Sequence, residues 1–214
     1  MICRCHYRAQ VAAGVSEIAL VEAADRCRAM AEELIKEGTL LTAALYHYEN
    51  MLFLYYEETK EMEPVCFMEP LTPFLESWPQ GGKVKHWAKM QHIYYHSEPK
   101  SIEQWQENRR PEHRRGRIAR LREDKLWDYV YHHINIVREG LLTGDKYQSI
   151  ALHEDILFSY FEEPKTMVNI REDYSRTSEA INDWLAVDPE SHFIPYPEAE
   201  GENFLIIPSY FAVG

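Results

Sequence analysis

Tyr48-Glu-Asn-Met-Leu-Phe-Leu-Tyr-Tyr-Glu-Glu58 and His153-Glu-Asp-Ile-Leu-Phe-Ser-Tyr-Phe-Glu-Glu163 are nearly the same segment, written twice at a constant offset of 105 positions. Glu49, Leu52, Phe53, Tyr55, Glu57 and Glu58 recur as identical residues. Upstream, Glu37-Gly-Thr-Leu-Leu-Thr42 is echoed by Glu139-Gly-Leu-Leu-Thr143 at an offset of 102, and Trp78 is echoed by Trp184 at 106. Three ordered echoes with similar offsets imply a duplicated unit of roughly 105 residues.

Each unit reads in the same order. In the first, the alternating stretch Ile2–Val11 suits a strand. Ser16–Lys36 carries helix formers with apolar residues at Ile18, Val21, Ala24, Met30 and Leu34, and Gly38 is a stop signal. Thr42–His47 and Met51–Glu57 flank a polar turn and read as a hairpin. A short helix is expected at Pro73–Trp78, and Ala88–His96 reads as an aromatic closing strand. The second unit repeats the pattern with strand Arg117–Leu121, helix Asp124–Arg138, hairpin Tyr147–Leu152/Ile156–Glu162, helix Ser178–Ala186 and strand Asn203–Phe211. This is β-α-β-β-α-β twice, the ferredoxin-like split unit. A single such sheet leaves one face bare, so two units are expected to press their open faces together in one chain. The expected fold is therefore α+β, tandem ferredoxin-like units forming a dimeric α/β-barrel-like pair. Residues 1–96 form the first repeat, 97–115 a polar connector anchored by Trp105, and 116–214 the second repeat.

Composition narrows the function. The chain has 214 residues with 45% hydrophobic and 27% charged, which suits a packed globular protein rather than a disordered one. Its net charge is −12, which opposes a general nucleic-acid or anionic-membrane surface. The basic run Arg109-Arg110-Pro-Glu-His-Arg114-Arg115-Gly-Arg117 reads as a solvated connection before it reads as a phosphate-binding arm. No GxGxxG or GxxxxGK[ST] occurs, so a backbone cradle for a nucleotide phosphate is not expected. Cys3, Cys5, Cys27 and Cys66 form no CxxC, and the N-terminus lacks the apolar core of a secretion signal; reduced thiols in the cytoplasm fit.

Tyr129 and His133 are four apart and share one helical face. A phenol and an imidazole facing a sheet make an acid/base and hydrogen-bonding pair, with His133 the better proton donor near neutral pH. The plainer reading is that both merely cover the sheet. His86, His92 and His96 read as edge or core histidines before a metal site, which needs a further convergent ligand. Glu57, Glu58, Glu162 and Glu163 read as solvated strand ends. The strand tyrosines Tyr46, Tyr48, Tyr55, Tyr56, Tyr94 and Tyr95 read as filler between sheets before they read as a stacking surface for a sugar or a flat cofactor.

The string Tyr129-xxx-His133-xx-Ile136, with Tyr147, Ile156-Leu-Phe-Ser-Tyr-Phe-Glu162 and Trp184, resembles the L-rhamnose mutarotase family over about 115–214. The first half resembles it only as a diverged repeat. The family's Ile-Trp-Pro-Glu after the histidine is here Ile136-Val137-Arg138-Glu139. The resemblance implies anomer interconversion of a monosaccharide by general acid–base catalysis, without metal or organic cofactor. It makes His133 the proton donor, Tyr129 and Tyr147 contacts for sugar hydroxyls, and Trp184 an apolar platform. Aligning Glu37-Gly38 with Glu139-Gly140 places Cys27 and Ala31 opposite Tyr129 and His133, so one site per chain is expected. The four site residues should converge within about 10 Å. A monomer with internal repeat pairing, or a homodimer, would serve, with neither nucleic acid nor membrane as partner. The alternatives are a non-catalytic sugar-binding or scaffold module of the same fold, and a small oxygenase or haem-binding dimeric-barrel protein.

Overall fold

In a computed structural model, residues 1–109, 113–163, 169–170 and 177–214 are described. The architecture is α+β, with two main antiparallel sheets of five and six strands and two small two-stranded ones among the described residues. The chain resolves into two compact units. The first is Met1–Met90 with Pro99–Pro111 and Ile207–Gly214; the second is Gln91–Glu98 with Glu112–Ile206. Among the described residues no helix is long and apolar enough to cross a membrane.

In the first unit, β1 (Cys3–Gln10), β2 (Leu40–Tyr48) and β3 (Met51–Glu58) build the sheet, with α1 (Glu17–Lys36) between β1 and β2. Ser16 caps α1, its Oγ accepting from the Ala19 N–H at 3.3 Å, and Lys36 complements the dipole in the last turn. Gly38, at φ +75°, turns the chain into β2 in a conformation that a side chain resists. The face that α1 buries is only in part the expected one, which Ala24 and Leu34 share. Ile18 and Val21 are exposed, and the buried stripe is Leu20, Ala23, Ala24, Cys27 and Ala31. Small residues let the helix lie close on the sheet. Cys5, Tyr7 and Ala9 meet it from β1, and Leu52, Leu54 and Tyr56 from β3.

In the second unit, β6 (Arg114–Leu121), β7 (Ser149–His153) and β8 (Ile156–Glu162) form the sheet, and α2 (Leu126–Glu139) connects β6 to β7. Gly140, at φ +68°, stops α2. Ser178 caps α3 (Glu179–Ala186), and Glu139 at the end of α2 accepts from both the Ser178 hydroxyl and the Glu179 N–H, which ties the two helices together. The hairpins of the two units match closely. β2 and β3 pair Tyr48 with Met51 around Glu49 at φ +51°, and β7 and β8 pair His153 with Ile156 around Glu154 at φ +56°.

The closing strands depart from expectation. β4 (Ala88–Lys89) pairs with β1 for two residues only. β5 (Gln91–Tyr95), expected to close the first sheet, instead pairs with β7 in the second. β9 (Phe193–Ile194) and β10 (Leu205–Ile207) both pair with β6. β11 (Ser209–Val213), expected in the second sheet, pairs with β2 in the first. The sheet orders are β11-β2-β3-β1-β4 and β9-β6-β8-β7-β5. The units therefore do not follow the 1–96 and 116–214 halves, because each half sends its last strand to the other half's sheet.

The basic run and the strand-end carboxylates also read differently in three dimensions. Glu57, Glu58 and Glu162 are buried rather than solvated. Arg109 reaches Glu57 with two N–H donors, at 2.8 and 3.2 Å, and the Tyr55 hydroxyl donates to the same carboxylate at 2.7 Å. In the second unit Tyr160 donates to Glu162 at 2.8 Å, with Arg114 Nε 3.6 Å away. Arg115 pairs with Glu163 at 3.1 Å. Arginines that looked like a solvated arm thus neutralise carboxylates that burial would otherwise penalise.

Candidate functional site

The candidate residues lie on the inner face of α2. Its period places Tyr129, His132, His133 and Ile136 against the second sheet and α3, while Trp127 and Tyr131 stay exposed. Tyr129 is 1% exposed and stacks on His133 with ring centroids 3.8 Å apart. Trp184 of α3 meets His133 edge-on at 4.9 Å and Tyr129 at 5.5 Å. Three of the four expected residues are thus in mutual contact. Tyr147 lies in the turn before β7, with the Lys146 ammonium 5.5 Å from its ring centroid.

The Tyr129 carbonyl can only accept, so His133 Nδ1, 2.9 Å away, carries the hydrogen. Nε2 is left with its lone pair. Burial pushes the His133 pKa down from 6.5 to about 4, against a smaller opposing pull from the Tyr129 carbonyl. At neutral pH this imidazole is uncharged. It accepts or ligates; it is not a loaded proton donor.

Neutrality makes a prediction for stability. The folded-state pKa is depressed, so the unfolded chain binds a proton that the folded chain refuses between pH 6.5 and about 4. The stabilisation is complete above 6.5 and lost as pH falls through that window, by about 3 kcal/mol in all. The variant His133→Phe should flatten this part of the pH–stability curve. A His133 ring whose NMR shifts titrate near 6.5 would refute the assignment.

Sequence reasoning missed several neighbours. His192, fully buried, faces Asp128 Oδ2 at 2.8 Å, and His132 Nε2 lies 3.6 Å from Oδ1 of the same carboxylate. These contacts, led by the His192 hydrogen bond, hold the Asp128 carboxyl below its usual range. Asp128 and His132 are four apart, a signal that was legible. His192 comes from the distant turn Pro189–His192, which no spacing announces. Tyr94 of β5 meets His133 edge-on at 5.4 Å, and its hydroxyl is 2.8 Å from His96 Nε2. Gly144 lies so close to the His96 ring that a Cβ there would collide with it. His86 belongs to the first unit and faces the carbonyls of Leu75 and Glu76 at 3.2 and 3.1 Å. Among the described residues no three or more His, Cys, Asp and Glu are placed to hold a metal ion.

The second unit also holds a cavity of about 430 Å³, lined by Arg117, Phe161, Glu163, Glu202, Asn203, Phe204 and Ile206. Burial lowers the Arg117 pKa, and Tyr129, Tyr94 and Asp145 act on its guanidinium in the opposite sense.

No protein-family model and no curated protein matches the chain. Solved structures do. A candidate monooxygenase from Fusobacterium nucleatum is 11% identical, with 99% of this chain and 93% of that one covered and a TM-score of 0.42. A candidate monooxygenase from Lactobacillus acidophilus is 6% identical, covers 99% and 95%, and scores 0.43. A heme-binding protein from Thermus thermophilus is 12% identical, covers 98% and 92%, and scores 0.36. Likenesses this weak in identity and score carry no functional argument for this chain. The family expected from sequence is corrected: no family model matches, and the solved structures that do match are described as candidate monooxygenases and a heme-binding protein. Isomerase activity on rhamnose is set aside with it.

Proposed function

We propose that the second unit belongs functionally with small oxygenase and haem-binding proteins, and that His133 is its iron-facing imidazole. One observation carries the reading: a buried, uncharged histidine whose Nδ1–H is fixed on a backbone carbonyl, leaving the Nε2 lone pair free. Orienting one ring nitrogen in this way presents the other as a ligand. The donor set fits a haem better than a bare ion, which would need further protein ligands. Tyr94, Tyr129 and Trp184 enclose the imidazole in aromatic surface, which suits a flat apolar group and limits water. A haem iron bound there would supply redox and dioxygen chemistry; the chain's own residues orient the ligand and keep it deprotonated.

Hemin titration tests the reading. A saturable Soret shift is expected for the wild-type protein, lost in His133→Ala and kept in His132→Ala. A wild-type protein without such a shift, or a His133→Ala variant that binds hemin equally, would overturn it.

We also propose that the two ferredoxin-like units arose by duplication. The matched Glu49 and Glu154 turns, and the Tyr–Glu hydrogen bonds repeated at Tyr55/Glu57 and Tyr160/Glu162, support that reading.

A further inference from the structure

We propose that the cavity at Arg117 binds a small zwitterion, an α-amino acid with an apolar or aromatic side chain, whose carboxylate sits on the guanidinium. This goes beyond the haem reading and does not depend on it, since no histidine lines the cavity.

The argument starts from an arginine that differs from its neighbours. Arg109, Arg114, Arg115, Arg120 and Arg122 each have a carboxylate partner, in Glu57, Glu162, Glu163, Asp155 and Asp124 respectively. Among the described residues no carboxylate reaches Arg117 at ion-pair distance, and Asp145 acts on its guanidinium only from further away. Its Nε donates to Ser159 Oγ at 3.3 Å, and its guanidinium carbon lies 4.2 Å from the Phe204 ring centroid and 5.3 Å from that of Phe161. Aromatic faces stabilise the cation but accept few of its five N–H donors. Burial lowers the Arg117 pKa, so the charge is held at a cost that an anion would relieve. The planar fork matches a carboxylate with two parallel hydrogen bonds.

The remaining walls specify the rest of the ligand. Phe161, Phe204 and Ile206 offer apolar surface to its body. Glu163, already paired with Arg115, and Glu202, which is exposed, add negative charge beside the cation. A purely anionic ligand would be repelled there, whereas an ammonium group would be drawn to Glu202. A cavity of about 430 Å³ suits a molecule of amino-acid size.

Calorimetric titration of the full chain, without added hemin, tests this with three probes: L-phenylalanine, 3-phenylpropionate lacking the ammonium, and phenethylamine lacking the carboxylate. Phenylalanine is expected to bind with a Kd on the order of 0.1–1 mM, and the other two more weakly. Arg117→Met should weaken phenylalanine binding by about tenfold or more, and Arg117→Lys by less, because it keeps the charge and loses the fork. The surface variant Glu202→Gln should bring phenylalanine down to the level of 3-phenylpropionate. The proposal fails if wild-type protein gives no saturable heat with phenylalanine, or binds 3-phenylpropionate or phenethylamine as tightly. It fails equally if Arg117→Met or Arg117→Lys binds phenylalanine as the wild type does.

Discussion

Arg109→Met is expected to cost about 3–5 kcal/mol of stability, because it strands the Glu57 carboxylate without a counter-charge. Glu57 is fully buried, and the Arg109 side chain is 7% exposed. Two guanidinium donors and the Tyr55 hydroxyl satisfy that carboxylate at present. The double variant Arg109→Met/Glu57→Gln should recover much of the loss, since a neutral amide is far cheaper to bury than an unpaired charge. Urea unfolding at unchanged m-value measures both. The exposed pairs Arg28–Asp25 and Lys36–Glu33 serve as controls, and removing either should shift stability by at most about 0.5 kcal/mol. If Arg109→Met behaves like those controls, the buried pair is not what holds this region together.

Deleting Ser209–Gly214 is expected to damage the first unit, although the segment is the C-terminus of the second repeat. β11 lies on the edge of β2, where the Val213 carbonyl accepts from the Thr42 hydroxyl at 2.7 Å. Phe211 belongs to the core packed against α1. Losing that ring alone should cost about 3–5 kcal/mol, before the lost strand pairing is counted. Hydrogen exchange should show β2 amides losing protection while β7 and β8 keep theirs. Protection lost first in β7 would mean that the strand closes its own repeat, as the linear order suggested.

The candidate site was only partly legible. Tyr129 and His133 stood out because helical spacing is local, and Trp184 joins them in space. Their chemistry was not legible, because it depends on dielectric. The same imidazole would be a proton donor at a solvated surface and is an uncharged acceptor when enclosed by Tyr94, Tyr129 and Trp184. Tyr94 arrives on a strand assigned to the other repeat, so no reading of 116–214 alone includes it. Arg117 sat in view within a basic run, yet only the structure separates it from five neighbours whose charges are matched internally.

From sequence alone came the elements governed by nearest neighbours along the chain. Both hairpins, with their turns at Glu49 and Glu154, follow from alternation and polar punctuation. α1 and α2 follow from their runs of helix formers, with the stop at Gly38 for α1 and the i,i+4 spacing of Tyr129 and His133 for α2. The tertiary structure alone decided where β5 and β11 pair, because any strand's N–H and C=O groups fit either free sheet edge and the choice rests on packing at a distance. It also decided that Glu57 and Glu162 are buried rather than solvated. A carboxylate at a strand end carries no local mark of its surroundings, and its burial becomes tolerable only when an arginine from another segment arrives to meet it.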